Sequence, residues 1–139
     1  MKVFFDTSAF IALFIKKDFN HSKVVKKYQE YKKHRAYFLT SDYVLDELYT
    51  RLVYDFGKKV CGQVIKNLNL VEKSGELEIL KVDQSIFQKS LKATIRFAEH
   101  KISFTDTTIY TMFKDFKLDE LFTLDSDFKK LRIPVSFSK

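Results

Sequence analysis

One cysteine, one proline, three glycines and no tryptophan in 139 residues exclude several chemistries at the outset. Cys61 has no second cysteine to pair with, so an internal disulfide is ruled out and a reducing cytoplasm fits. It sits in a helical, mostly apolar stretch, where a thiol packs rather than reacts. The three glycines form neither a G-x-G-x-x-G run nor a P-loop, which argues against dinucleotide or ATP binding. No G-x-S-x-G elbow surrounds Ser8, a poor candidate nucleophile. His21, His34 and His100 lack His or Cys partners at ligand spacing, which disfavours zinc. No apolar run approaches a membrane span. Asp6 interrupts the opening apolar stretch and no small-residue cleavage site follows Ile15, so a signal peptide is not expected either. These absences predict a soluble cytoplasmic protein with no membrane partner.

What is present is apolar bulk and positive charge. Hydrophobic residues make up 45% of the chain, and 15 of the residues are Phe, enough to fill a core for a single domain over residues 1–139. Lys and Arg outnumber Asp and Glu by 25 to 18, giving +7 and a pI near 9.4. Such a field draws polyanions, nucleic acid first, although a Lys-rich soluble surface gives the same count. Between Lys16 and Arg35 there are eight Lys or Arg against Asp18 and Glu30, a candidate phosphate-contact face or simply the solvated side of a helix.

Short apolar runs alternate with helical periods. Strands are predicted at about 2–5, 35–39, 77–82, 121–124 and 133–137, with helices at about 7–15, after His21, 41–54, from Gly57 to 73, 84–99 and 105–116. Val44, Leu45, Leu48 and Leu52 mark the inner stripe of the third helix, and Ile86, Phe87, Leu91, Ile95 and Ala98 that of the helix at 84–99. Strands separated by helices argue for a parallel sheet covered on both faces, an α/β fold whose function gathers at the carboxyl ends of the strands.

Four acids occupy such positions, each with an ordinary explanation beside the functional one. Asp6 ends the first strand and is placed to cap the following helix. Asp106 closes a Ser103-Phe104-Thr105-Asp106 capping box, yet shares a stripe with Ile109, Tyr110 and Phe113 that turns it towards the core. Asp125 and Asp127 flank Ser126 in ordinary turn chemistry after a strand. Glu47 lies too deep in its helix to cap it, and competes only with an ion pair to Arg51 at i+4. Converging carboxylates repel unless a cation neutralises them, so clustered acids in a basic protein point to Mg²⁺ or Mn²⁺ acting on phosphates.

With those residues in view, the chain resembles the PIN-domain ribonucleases, most of all the VapC-type toxins of toxin–antitoxin pairs. The matching segments are Val3-Phe4-Phe5-Asp6-Thr7-Ser8-Ala9, Glu47 in a helix some forty residues on, Ser103-Phe104-Thr105-Asp106, and Leu121-Phe122-Thr123-Leu124-Asp125-Ser126-Asp127-Phe128. No single motif is specific; the set, in order and spacing over the full length, is. The resemblance implies a three-layer α/β/α sandwich around a parallel sheet of four to five strands. It also implies a Mg²⁺- or Mn²⁺-dependent endoribonuclease, a homodimer, and an antitoxin protein whose peptide blocks the acidic pocket. It makes Asp6, Glu47, Asp106 and Asp125 the acidic metal set, Asp127 a variable extra acid, and Thr7, Ser8 and Thr123 supporting hydroxyls. Thr107 and Thr108 depart from the small residues usual after the third acid, which puts local helix packing in question. Two rivals remain: a non-catalytic RNA-binding or scaffold domain of the same fold, and an Asp-dependent phosphatase. The phosphatase would want a second Asp where Ser8 stands.

Overall fold

A computed structural model describes residues 1–137. The elements run β1 (Lys2–Phe5), α1 (Thr7–Phe14), α2 (His21–Lys33), β2 (Tyr37–Ser41), α3 (Asp42–Lys73), β3 (Leu77–Leu80), α4 (Gln84–Arg96), α5 (Phe104–Asp115) and β4 (Glu120–Phe122), with short 3-10 turns at Ala98–His100 and Ser126–Leu131. All strand pairs are parallel and the sheet order is β3-β2-β1-β4. Because side chains alternate across a strand, Phe4 and Phe5 serve opposite layers. Phe5 stacks on Phe10 of α1 at 4.4 Å and meets Phe38 and Phe122 on the neighbouring strands. Phe4 meets Phe113 of α5 edge-on at 6.3 Å. This is the expected three-layer α/β/α sandwich.

The order of the strands decides where a site can form. The chain lays down β1, β2 and β3 in one direction, then places β4 on the other side of β1. The reversal therefore falls between β1 and β4, and the crevice beyond their carboxyl ends is the binding position of an open parallel sheet. The Asp6 N–H donates to the Phe122 carbonyl at 3.0 Å, carrying the β1–β4 pairing up to that crevice.

Helices fall where the apolar periods put them, with one break. Gly57, at φ 88° and ψ 176°, interrupts α3 between a first half buried through Val44, Leu45, Leu48 and Leu52 and a second half buried through Cys61, Val64 and Leu68. Only glycine takes that left-handed φ without steric penalty. The thiol of Cys61 is buried, as expected of a packed cysteine.

Three readings need correction. The second strand begins at Tyr37, not 35, because Arg35 turns left-handed at φ 57° just after α2. The predicted last strand at 133–137 makes one bridge, Leu121 to Val135, leaving four strands among the described residues. Arg132, immediately before that segment, is left-handed at φ 58°, and Pro134 has no N–H for a ladder. In α4 the buried positions are Ile86, Ser90 and Ala93, whereas Leu91 and Ile95 face out, Ile95 with 78% of its surface exposed. The seam between α4 and α5 is polar instead: Ser90 meets Thr111 and Thr94 meets Thr107, hydroxyl to hydroxyl, both at 2.9 Å.

Candidate functional site

Asp6 leaves β1 in extended conformation at the position that caps α1, but its side chain makes no capping hydrogen bond. Its Oδ2 instead accepts from the Thr123 hydroxyl at 2.8 Å and, at 3.4 Å, from that of Ser8. Only 6% of Asp6 is exposed. Burial raises its pKa from 3.8 to about 6; the Thr123 bond and the Thr7 N–H pull the other way, while Glu47 and Asp125 add repulsion.

Asp106 sits in the first turn of α5. The capping box is real, with the Asp106 N–H donating to Ser103 Oγ at 3.1 Å. The box does not account for the carboxylate. Burial first, and then the charge of Asp6, carry its pKa to about 7 against the lowering influence of Ser103, and Asp125 adds to the rise. The acids after β1 and β4 and the acid at the start of α5 thus act on one another across the crevice.

Hydroxyls hold the remaining members. Thr7 donates to Glu47 Oε1 at 2.5 Å, tying α3 to the start of α1. Among the described residues no ion pair joins Glu47 to Arg51; the pairs present are Lys27–Glu30, Lys89–Asp115 and Lys130–Asp127. Thr123 Oγ1 accepts from the Asp125 N–H at 3.0 Å while donating to Asp6, so one hydroxyl links two acids. Ser8 Oγ accepts from the Leu124 N–H at 2.9 Å and lies 3.2 Å from Thr123 Oγ1. It fixes the loop after β4, which is not the place of a general acid.

Asp127 stands apart. Its N–H donates to Asp125 Oδ1 at 2.9 Å, the anticipated turn, and its exposed carboxylate pairs with Lys130 at 3.3 Å. Repulsion links Asp6 to Glu47, Asp106 and Asp125, and Asp106 to Asp125 as well, while Asp127 is exposed and paired with Lys130. Thr107 and Thr108, the departures after Asp106, are buried and satisfied, bonding the carbonyls of Phe104 at 2.7 Å and Thr105 at 2.6 Å. They belong to the helix and its seam with α4.

The PIN domain family model matches residues 3–134. The chain is a member of the PIN-domain family. Solved structures that share its fold include two toxin–antitoxin proteins. The VapC20 toxin of Mycobacterium tuberculosis, which cleaves the sarcin–ricin loop, superposes with a TM-score of 0.79 at 20% identity, over 94% of this chain and 95% of that one. VapBC2 from Rickettsia felis, bound to a DNA fragment from its promoter, gives 0.73 at 14% identity, over 97% of each chain. No curated protein matches the sequence. At these identities the likeness speaks for the PIN architecture alone.

The oxygen-only donor set suits a hard divalent cation better than zinc or copper. Among the described residues no three His, Cys, Asp or Glu side chains are grouped so that they could hold a metal ion as they stand. No helix among the described residues is long and apolar enough to cross a membrane.

Proposed function

We propose that this PIN domain is a Mg²⁺- or Mn²⁺-dependent endoribonuclease and the toxin of a toxin–antitoxin pair. One observation carries the reading: Asp6 and Asp106 are both held well above the ordinary carboxylate range, and the charges acting on them are other carboxylates. In a chain with 25 Lys and Arg, a purely structural acid pair would be neutralised by one of them.

Asp6 and Asp106 would hold the ion, with Asp125 and Glu47 completing its surroundings. Bound there, the ion supplies an acidified water and polarises the scissile phosphate. The protein's own part is positioning. Thr7 orients the carboxylate of the exposed Glu47, and Thr123 fixes both the Asp6 carboxylate and the Asp125 backbone. Ser8 anchors the loop that presents Asp125. With two of the acids partly protonated near neutrality in the absence of a cation, binding one releases protons, so affinity should rise with pH.

The VapC20 and VapBC2 folds support the toxin reading, and with it an antitoxin partner; a homodimer is proposed on the family resemblance alone. The test is cleavage of RNA by the purified protein with Mg²⁺ or Mn²⁺, against EDTA and against Asp6→Asn and Asp106→Asn. Activity lost in all three, with the fold retained, is the expected outcome. Cleavage persisting in EDTA, or undiminished in both variants, would overturn the metal mechanism. No cleavage under any condition, with RNA still bound, would leave a non-catalytic RNA-binding domain of the same fold.

A further inference from the structure

The carboxylates explain how RNA would be cut but not how a strand is held. A cavity of about 650 Å³ opens on the flank of α5, closed by the end of α4 and by residues 130–134. Arg96, His100, Lys114, Lys130 and Arg132 line it, with no Asp or Glu among the lining residues. Its wall is aromatic, Phe97 and Tyr110 meeting edge to face at 4.9 Å. The Arg96 guanidinium lies 5.1 Å from the centre of the Phe97 ring, and Lys114 Nζ lies 4.9 Å from that of Tyr110. A ring face holds a cation in place without cancelling its charge. Of the five basic side chains only Lys130 has a carboxylate partner among the described residues, namely Asp127.

The cavity also stands in a fixed relation to the acids. Tyr110 and Lys114 follow Asp106 by one and two turns of α5, roughly 6 and 12 Å along its axis. Lys130 belongs to the 3-10 turn that Asp125 caps. The same two elements carry an acid at one end and a cation of the cavity at the other. The positive surface continues along α4 through Lys92, one turn before Arg96, beside a hollow of about 250 Å³ that Lys114 also borders. By contrast, α2 with its run of lysines packs against the Phe5 face of the sheet, while α5 packs against the Phe4 face.

We propose that this cavity is a phosphate-binding subsite for the RNA strand, gripping a backbone phosphate that flanks the one to be cleaved. The proposal rests on the ribonuclease reading above. Arg96, Lys114 and Arg132 would make the contacts, with the rings keeping the first two extended and charged. Such contacts position a strand and carry no base information. A second copy of this chain is a poor occupant, because the same wall apposed to itself would set cations against cations.

The experiment measures binding in the Asp6→Asn background, by fluorescence anisotropy of a labelled single-stranded RNA oligonucleotide across a KCl series. Arg96→Gln, Lys114→Gln and Arg132→Gln are combined and compared with Lys58→Gln, Lys59→Gln and Lys66→Gln, an equal charge change on α3. The cavity variant should weaken binding at least tenfold at low salt and lower the slope of log Kd against log salt by about 0.7, the share of one phosphate contact on a single strand. The α3 variant should change affinity less than threefold. Equal losses in the two would reduce the effect to net charge and overturn the subsite. Undiminished affinity in the cavity variant would overturn it too, leaving the cavity to an acidic protein segment. Cleavage by the unmodified protein is scored separately. If it is absent while the cavity variant still loses RNA, the subsite stands and the nuclease reading falls.

Discussion

Replacing Asp6 by Asn should make the protein more stable while removing its activity. Asp6 is almost wholly buried, and its pKa in the fold is about 6 against 3.8 for an ordinary aspartate. Between those two values the folded chain binds a proton more readily than the unfolded chain, so stability falls as pH rises through that window. Above pH 6 the full difference is lost, about 3 kcal/mol at roughly 1.4 kcal/mol per pKa unit. An amide carries no charge to desolvate, and its oxygen still accepts from Thr123. Thr123 and Ser8 both donate to the same Oδ2, so the new NH₂ takes the Oδ1 position with neither hydroxyl as its acceptor, and an unmet N–H there would take back about 1 kcal/mol. The net expectation is a gain of about 1–3 kcal/mol at pH 7.5, shrinking towards zero by pH 4. Urea unfolding monitored by circular dichroism at pH 4, 5, 6 and 7.5 measures it directly. A second arm repeats the pH 7.5 curve with Mg²⁺, which should stabilise the unmodified protein and leave Asp6→Asn unmoved. A variant no more stable than its parent at pH 7.5, or a gain independent of pH, would refute the claim that Asp6 is held charged against its surroundings.

Other expectations follow from single contacts. Thr123→Val removes the bond that lowers the Asp6 pKa, so the acid limb of the pH–rate profile should move to higher pH, with kcat reduced about tenfold or more. Asp127→Asn breaks only an exposed pair with Lys130, so denaturation midpoints should shift by less than about 0.5 kcal/mol and cleavage should persist within a few-fold. Leu48→Ala, in the first half of α3, opens a hole under a fully buried side chain and should cost about 2–5 kcal/mol by urea titration. Thr94→Val and Thr107→Val, combined, should destabilise less than the sum of the single changes, because Thr107→Val alone takes away the Thr94 hydroxyl's partner across the α4–α5 seam; a double-mutant cycle reads the coupling.

Much of this architecture is legible in the sequence because it rests on local signals. Val44, Leu45, Leu48 and Leu52 repeat at helical spacing, and Gly57 breaks the helix they begin. Asp6, Glu47, Asp106 and Asp125 can be picked out because each sits at an element end or a stripe border where its ordinary role is weak. The failures share a physical cause. In α4 the apolar residues Leu91 and Ile95 face out, since the helix meets α5 through Ser90, Ala93 and Thr94, small residues that allow close approach and bond across it. A hydrophobic pattern cannot register a seam of that kind. The strand expected at 133–137 has the right composition but only one bridging partner, and pairing is a property of the neighbour as much as of the segment. The basic cavity escapes a linear reading because its cations come from three separated stretches, and only the spacing of Lys89, Lys92 and Arg96 hints that α4 has a positive side. Density in sequence favours Lys16–Arg35 instead.

The disposition of charge is what separates a structural from a functional reading of the acids. Lysines and arginines are plentiful, and some are engaged in ordinary surface pairs: Lys89 with Asp115, Lys27 with Glu30, Lys130 with Asp127. None of those pairs includes Asp6, Glu47, Asp106 or Asp125. The bonds these four do receive come from Thr7, Ser8, Thr123, Ser103 and backbone N–H groups, which orient a carboxylate but leave its charge uncompensated. A fold stabilised for its own sake would place a guanidinium in the crevice between β1 and β4, and would be firmer for it. Keeping the cations two turns away on α5, at Lys114, and in the segment after β4 leaves negative charge in the crevice and a positive surface beside it. The proposed divalent ion and phosphate backbone would each use one half of that division of charge. The stability recovered in Asp6→Asn is therefore a measure of how much folding free energy the chain forgoes to keep that site open.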